Sequence, residues 1–230
     1  MKDNAYDGIR RGKFKTPKKI KLTEELLRSH DTVVNWWCRQ SGKTLTAVKI
    51  GRDIALSRPG ARIIVIAPKR SNASYYIEMF SRSIDRAEQS LKTEIKLELK
   101  NGSVIEATSA ASFIPTKISE EPEGSYDFVI VDEFEFMPAN HFSSILGEIK
   151  KVLRPPVIRR LWRSIKQLKS KTKFLFVSSM QKGLALSEIK ETLPHAVVSK
   201  LNWEATNADR EKLLKIMGPE AFQIAYDSYK

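Results

Sequence analysis

Thr32-Val33-Val34-Asn35-Trp36-Trp37-Cys38-Arg39-Gln40-Ser41-Gly42-Lys43-Thr44 decides the fold. Its first six residues are apolar and β-branched, a strand pattern. Leu45 to Ser57 then has helical spacing and stops at Arg58-Pro59-Gly60. A strand running through Gly-Lys-Thr into a helix is the end of a phosphate-binding loop, G-x-x-x-x-G-K-[ST]. Backbone N–H groups at the helix N-terminus, aided by the helix dipole, point at phosphate oxygens. Gly42 permits close backbone approach, the Lys43 ammonium reaches the β/γ oxygens, and the Thr44 hydroxyl suits Mg²⁺. The first glycine of the motif falls at position 37, which is Trp37.

The segments around this loop alternate strand and helix. Leu22–His30 reads as a short helix with Thr23 as its cap. Ala61–Pro68 is an apolar run of strand length, and Asn72–Ser90 is helical in period. Lys96–Lys100 and Ser103–Ala107 alternate on either side of Asn101-Gly102, the signature of a type I′ hairpin. Phe128-Val129-Ile130-Val131 is a buried strand ending in Asp132-Glu133. His141–Leu153 reads as a helix, Val157–Leu168 as a basic helix, Lys173–Ser179 and His195–Lys200 as strands, and Ala208–Met217 and Pro219–Tyr229 as closing helices. Several fully apolar strands between helices indicate an α/β fold with a mainly parallel sheet covered on both faces. Residues 1–21 read as a basic arm and 22–230 as one domain.

In a P-loop NTPase, four apolar residues followed by two acids form the metal and water end of the site. Asp132 would ligate Mg²⁺ and Glu133 would polarise the attacking water. Strand alternation alone aims the two acids apart, so their shared use depends on how the strand end bends.

Charge narrows the partner class. The 230 residues hold 40 Lys+Arg against 27 Asp+Glu, a net charge of +13. That excess favours a polyanion. Ten cations and no acid lie between Lys150 and Lys173, beginning with Lys150, Lys151, Arg154, Arg159, Arg160 and Arg163, and a second cluster runs from Arg10 to Lys21. A single cysteine excludes a disulfide framework. No apolar run approaches the roughly 18 residues a membrane span needs, and the N-terminus lacks a secretory core.

The order of these motifs resembles the ATPase domain of the large terminase subunit, the DNA-packaging motor of tailed bacteriophages. That family carries a deviant loop, R-Q-x-G-K-[ST], matched here by Arg39-Gln40-Ser41-Gly42-Lys43-Thr44 and lacking the first glycine. Ala67-Pro68-Lys69-Arg70-Ser71-Asn72-Ala73 is similar to its post-strand motif. Phe176-Val177-Ser178-Ser179-Met180 with Gly183 is similar to its coupling motif, and Trp203 to Tyr226 resembles the end of the ATPase region. The resemblance spans roughly residues 20–230 and implies a RecA-like P-loop NTPase of the additional-strand, catalytic-glutamate type. It further implies ATP and Mg²⁺ as ligands, Arg39 as a γ-phosphate sensor, and Ser178 and Ser179 as relays of nucleotide state. The implied partners are double-stranded DNA, the portal protein, the small terminase subunit and, in an active ring, further copies of the chain. The implied location is the host cytoplasm, transiently at the portal vertex of the procapsid. Where many members have an Arg-Gly pair before the acidic strand, this chain has Ile114-Pro115-Thr116-Lys117, and the family's adenine-reading glutamine has no counterpart. The family's nuclease domain would follow residue 230. No second carboxylate cluster stands in the sequence, so no DNA cleavage is expected of this chain.

Two other readings compete: another P-loop helicase or translocase, and a nucleic-acid-binding module with a degenerate nucleotide site. A helicase needs arginine-bearing motifs in a second RecA-like domain, and intact Lys43, Thr44, Asp132 and Glu133 argue against degeneracy. Trp36, Trp37 and Trp162 read as core rather than base-stacking residues. His30, His141 and His195 lack zinc spacing with Cys38, which reads as packing.

Overall fold

The strand order β3-β4-β5-β2-β6-β7-β1-β8 in one eight-stranded sheet sets the architecture. The computed structural model describes residues 18–37, 41–114, 126–153, 172–179 and 184–201. The strands are β1 (Thr32–Trp37), β2 (Arg62–Ala67), β3 (Gln89–Lys92), β4 (Lys96–Leu99), β5 (Val104–Ser109), β6 (Phe128–Asp132), β7 (Lys173–Ser179) and β8 (Val197–Leu201). The helices are α1 (Lys18–Ser29), α2 (Lys43–Ser57), α3 (Arg70–Ser83), α4 (Ala139–Leu153) and α5 (Leu184–Thr192). Strands β5, β2, β6, β7, β1 and β8 run parallel, while β4 pairs antiparallel with both β5 and β3 at one edge.

Alternation along the parallel strands divides the core. Val33, Ile63, Val65, Ile105, Ile130, Leu175 and Val177 face α1, α2 and α3. Val34, Ile64, Ile66, Val129, Val131, Phe174 and Phe176 face α4 and α5. Both faces are therefore covered, which is why these strands read as unbroken apolar runs. On the first face α2 and α3 close up at Gly51. A Cβ there would lie 2.8 Å from Phe80 Cζ, so only glycine lets the Phe80 ring seat against the helix. On the second face Phe134, Phe142 and Phe176 form one aromatic cluster, with Phe134 and Phe142 stacked at 5.8 Å and Phe176 edge-on to both.

Several local expectations need correction. The helix expected at Leu22 begins at Lys18, and Thr23 is not its cap. Thr23 is buried in mid-helix, donating to the Lys19 carbonyl (3.0 Å) and accepting from Asn35 Nδ2 (3.0 Å). The helical period from Asn72 does not persist to Ser90. Helix α3 stops at Ser83, Gln89 Nε2 donates to the Ser81 and Ile84 carbonyls, and Gln89–Lys92 forms the edge strand β3. The Asn101-Gly102 hairpin is present, but its turn is not type I′. Gly102 has φ of 82° while Asn101 is not left-handed, Gly102 N–H donates to the Leu99 carbonyl, and Leu99 N–H donates to the Ser103 carbonyl. That is a three-residue loop closed by a glycine bulge. Helix α5, unread in the sequence, turns Leu186 and Ile189 into the second core face. The basic helix expected at Val157–Leu168, the two closing helices and Trp162 lie outside the described residues.

Candidate active site

Strand β7 lies between β1, which leads into the loop, and β6, which carries the acids. All three are parallel, so Ser41-Gly42-Lys43, Asp132-Glu133 and Ser178-Ser179 emerge at the same end of the sheet. Ligands of open parallel sheets bind at this carboxyl edge. Gly42 stands at the N-cap of α2 with φ of 88°, the left-handed region where glycine carries no steric cost. No side chain caps α2, which leaves its first-turn N–H groups facing the mouth of the site. A contact the sequence did not signal steadies the loop from behind: Lys19 Nζ of α1 donates to the Ser41 carbonyl at 2.8 Å.

Lys43 is almost wholly buried, and its Nζ donates to Ser179 Oγ at 3.1 Å. The serine passes the contact on, donating from Oγ to Glu133 Oε1 at 3.2 Å, while its N–H donates to Glu133 Oε2 at 3.0 Å. Ser178 Oγ donates to the same Oε2 at 3.2 Å. The end of β7 thus holds both oxygens of the Glu133 carboxylate.

The bend that brings Glu133 there is explicit. With φ of 44° and ψ of 47° it is the one non-glycine residue in the left-handed region among the described residues. A left-handed non-glycine conformation costs about 1–2 kcal/mol. The turn swings Glu133 across to β7 instead of letting it follow the strand's alternation, which resolves the ambiguity left by spacing alone.

Asp132 remains in the strand and is 3% exposed. Its Oδ1 accepts a 2.7 Å hydrogen bond from the buried Tyr76 hydroxyl, on α3. Burial raises its pKa from 3.8 to about 7, with repulsion from Glu133 adding to the rise and the Tyr76 bond and Lys43 opposing it. The Tyr76 phenol is itself pushed well upward by burial and by Asp132, and Thr44 makes a weaker side-chain hydrogen bond to it. One phenol therefore touches side chains from both halves of the site. Sequence reading missed Tyr76 because a tyrosine in the apolar stripe of a helix looks like core, and its only signal is that a buried hydroxyl needs a partner.

Arg39, Gln40 and Cys38 lie outside the described residues, as do Arg154, Arg159, Arg160 and Arg163 and the Pro115–Lys117 stretch. Lys150 and Lys151 are exposed in the last turn of α4, where Lys151 pairs with Glu148 at 2.5 Å. Lys150 shares a hollow with Thr32 and Ala196, at the start of β1 and beside the start of β8. It therefore stands at the opposite end of the sheet from Lys43. Trp36 and Trp37 are core residues, Trp37 fully buried with Nε1 donating to Ser199 Oγ at 3.1 Å. Strand β1 runs through position 37, where the ordinary motif would already have turned at a glycine.

No family model matches the sequence, and no curated protein matches it. Solved structures do. The ATPase domain of the Thermus phage P74-26 large terminase matches with a TM-score of 0.58 at 16% identity, covering 86% of this chain and 88% of that one. The chain has the fold of a large-terminase ATPase domain. A full-length large terminase from a thermophilic bacteriophage matches with a TM-score of 0.63 at 10% identity, covering 93% of this chain and 52% of that one. The same phage's terminase in complex with ATP-gamma-S matches at 0.61 and 9% identity, covering 91% and 50%. The chain thus spans about half of that terminase. The α/β P-loop NTPase architecture, with a mostly parallel sheet between two helical layers, agrees with the expectation from the Gly-Lys-Thr loop. Among the described residues no helix is long and apolar enough to cross a membrane.

Proposed function

We propose that this chain is the ATPase motor domain of a viral large terminase, hydrolysing ATP to drive double-stranded DNA. The observation that carries the reading is the convergence of Lys43, Asp132, Glu133 and Ser179 at the carboxyl edge of β1, β6 and β7 within the terminase ATPase fold. A structural protein has no reason to bury a lysine and two acids there. Each would cost several kcal/mol unless paired, and Asp132 is paired only by a phenol.

Arg39, Gln40, Ser41, Gly42, Lys43 and Thr44 would embrace the triphosphate, and Arg39 would sense its γ-phosphate. The Thr44 hydroxyl and Asp132 carboxylate are hard oxygen donors of the kind Mg²⁺ selects, and Asp132 is a buried acid whose ionised form lacks a countercharge of its own strength. Mg²⁺ held there would neutralise charge developing on the phosphates. Glu133 is the residue to orient and deprotonate the attacking water. In the present arrangement its carboxylate is engaged by Ser178 and Ser179, so those bonds must loosen for Glu133 to reach water. That exchange gives Ser178 and Ser179 a physical route for relaying nucleotide state along β7. The basic residues 150–173, or the N-terminal arm, would grip DNA through its phosphates, with the portal, the small subunit and neighbouring motor copies as partners at the packaging vertex.

The test is Mg²⁺-ATP turnover of the chain against Glu133→Gln, with nucleotide binding followed in parallel. Turnover should fall on the order of 10²-fold or more with binding kept. DNA affinity should drop steeply with salt and ignore sequence. Absence of nucleotide binding in the parent would overturn the reading.

A further inference from the structure

The Tyr76 hydroxyl is the one polar group that touches both Thr44 and Asp132 among the described residues. A phenol has one O–H to give and oxygen lone pairs to accept. Its proton is committed to Asp132 Oδ1 at 2.7 Å, because an ionised carboxylate can only accept. Toward Thr44 the phenol oxygen can then only accept, so the Thr44 hydroxyl must be the donor. Thr44 has thereby placed its proton on the protein side and keeps its lone pairs for a cation. Asp132 has one oxygen pinned by Tyr76 and the other uncommitted to that bond. Residues that orient metal ligands in this way commonly set affinity as strongly as some ligands do.

We infer that Tyr76 is a positioning residue for the divalent cation that accompanies the nucleotide, aiming Thr44 and Asp132 together from a single buried hydroxyl on α3. The inference rests on the nucleotide reading given above and adds a residue from outside its motifs. The ring is anchored independently of the hydroxyl: Tyr76 is 1% exposed and packs against Phe80 at 6.5 Å between ring centroids. Removing the oxygen alone therefore leaves the packing and deletes the orientation.

The experiment compares the full chain with Tyr76→Phe using a fluorescent ADP analogue, once in EDTA and once in a Mg²⁺ titration at fixed nucleotide. Mn²⁺ binding in the presence of ADP, read by electron paramagnetic resonance, is the second readout. The expected result is a rise in the Mg²⁺ midpoint and the Mn²⁺ dissociation constant of roughly tenfold or more. Nucleotide affinity in EDTA should stay within about twofold of the parent, a split that general loosening of the fold would not produce. In an Asp132→Asn background the same substitution should add little, because the bond it acts through has been changed. An unchanged Mg²⁺ midpoint, or equal losses with and without metal, would overturn the inference. Failure of the parent to bind nucleotide in either condition would instead overturn the functional reading. Should Tyr76→Phe not fold, protein carrying 3-fluorotyrosine keeps the ring and hydroxyl while making the phenol a stronger donor and a weaker acceptor. Its Mg²⁺ midpoint should shift severalfold at unchanged EDTA affinity, and no shift would again count against Tyr76.

Discussion

Asp132→Asn should stabilise the metal-free chain, and by an amount that depends on pH in a definite way. The wild-type carboxyl titrates near 7 in the fold against 3.8 for an unperturbed aspartate. At about 1.4 kcal/mol per pH unit, that difference means the ionised carboxylate costs the folded state up to about 4 kcal/mol. Burial is nearly complete, so solvent screening relieves little of it. Below pH 4 both folded and unfolded chains hold the proton and the cost is absent. Between pH 4 and 7 the unfolded chain ionises while the fold retains the proton, so wild-type stability falls relative to the neutral variant. Above pH 7 the gap is constant. Asparagine keeps an acceptor for the Tyr76 hydroxyl, so that bond survives the substitution. Urea unfolding of both proteins in EDTA from pH 5 to 9 reads the gap directly, and subtracting the two curves removes every other titrating group. The variant should lead by about 2–4 kcal/mol at pH 8.5, and its advantage should shrink at pH 5. A variant less stable than wild type at pH 8.5, or a gap that ignores pH, would refute the reasoning.

Ser179→Ala removes the hydroxyl linking Lys43 to Glu133 and should lower kcat on the order of tenfold with a smaller change in nucleotide affinity, checked by steady-state ATPase kinetics. An unaltered kcat would mean that this hydroxyl neither places the lysine nor relays the state of the acid. Gly51→Ala sets a methyl group 2.8 Å from the Phe80 ring. Overpacking of about 1–3 kcal/mol should exceed the roughly 1 kcal/mol gain in helix propensity, so thermal unfolding should move down by a few degrees.

The sequence carried the parts of this protein that depend on local chemistry. The unbroken apolar runs at Ile63–Ala67, Phe128–Val131 and Phe174–Val177 announced a sheet buried on both faces, because such strands have no side left for water. Gly42-Lys43-Thr44 and Asp132-Glu133 announced nucleotide chemistry, because close backbone approach, a cation and paired acids follow from residue type and short spacing. The turn at Asn101-Gly102 was legible as a turn but not in its type, since Asn101 can adopt either conformation and the pairing of Leu99 with Ser103 selects one. The end of the helix after Ser83 was hidden for a similar reason: the Gln89 side chain closes it from beyond the helix.

Tertiary structure alone decided what meets across the sheet. Strand β7 enters between β1 and β6 because six parallel strands sort by the packing of helices on two faces, and that order delivers Ser179 to both Lys43 and Glu133 from far along the chain. The left-handed turn at Glu133 is held by three hydrogen bonds to β7, which no local propensity encodes. Tyr76 looks like any apolar-face aromatic until α3 is laid against β6, and only then does its hydroxyl fall 2.7 Å from Asp132. Residue types and their spacing state which chemistry is possible, while the distances that make it a site arise from contacts between segments the chain keeps far apart.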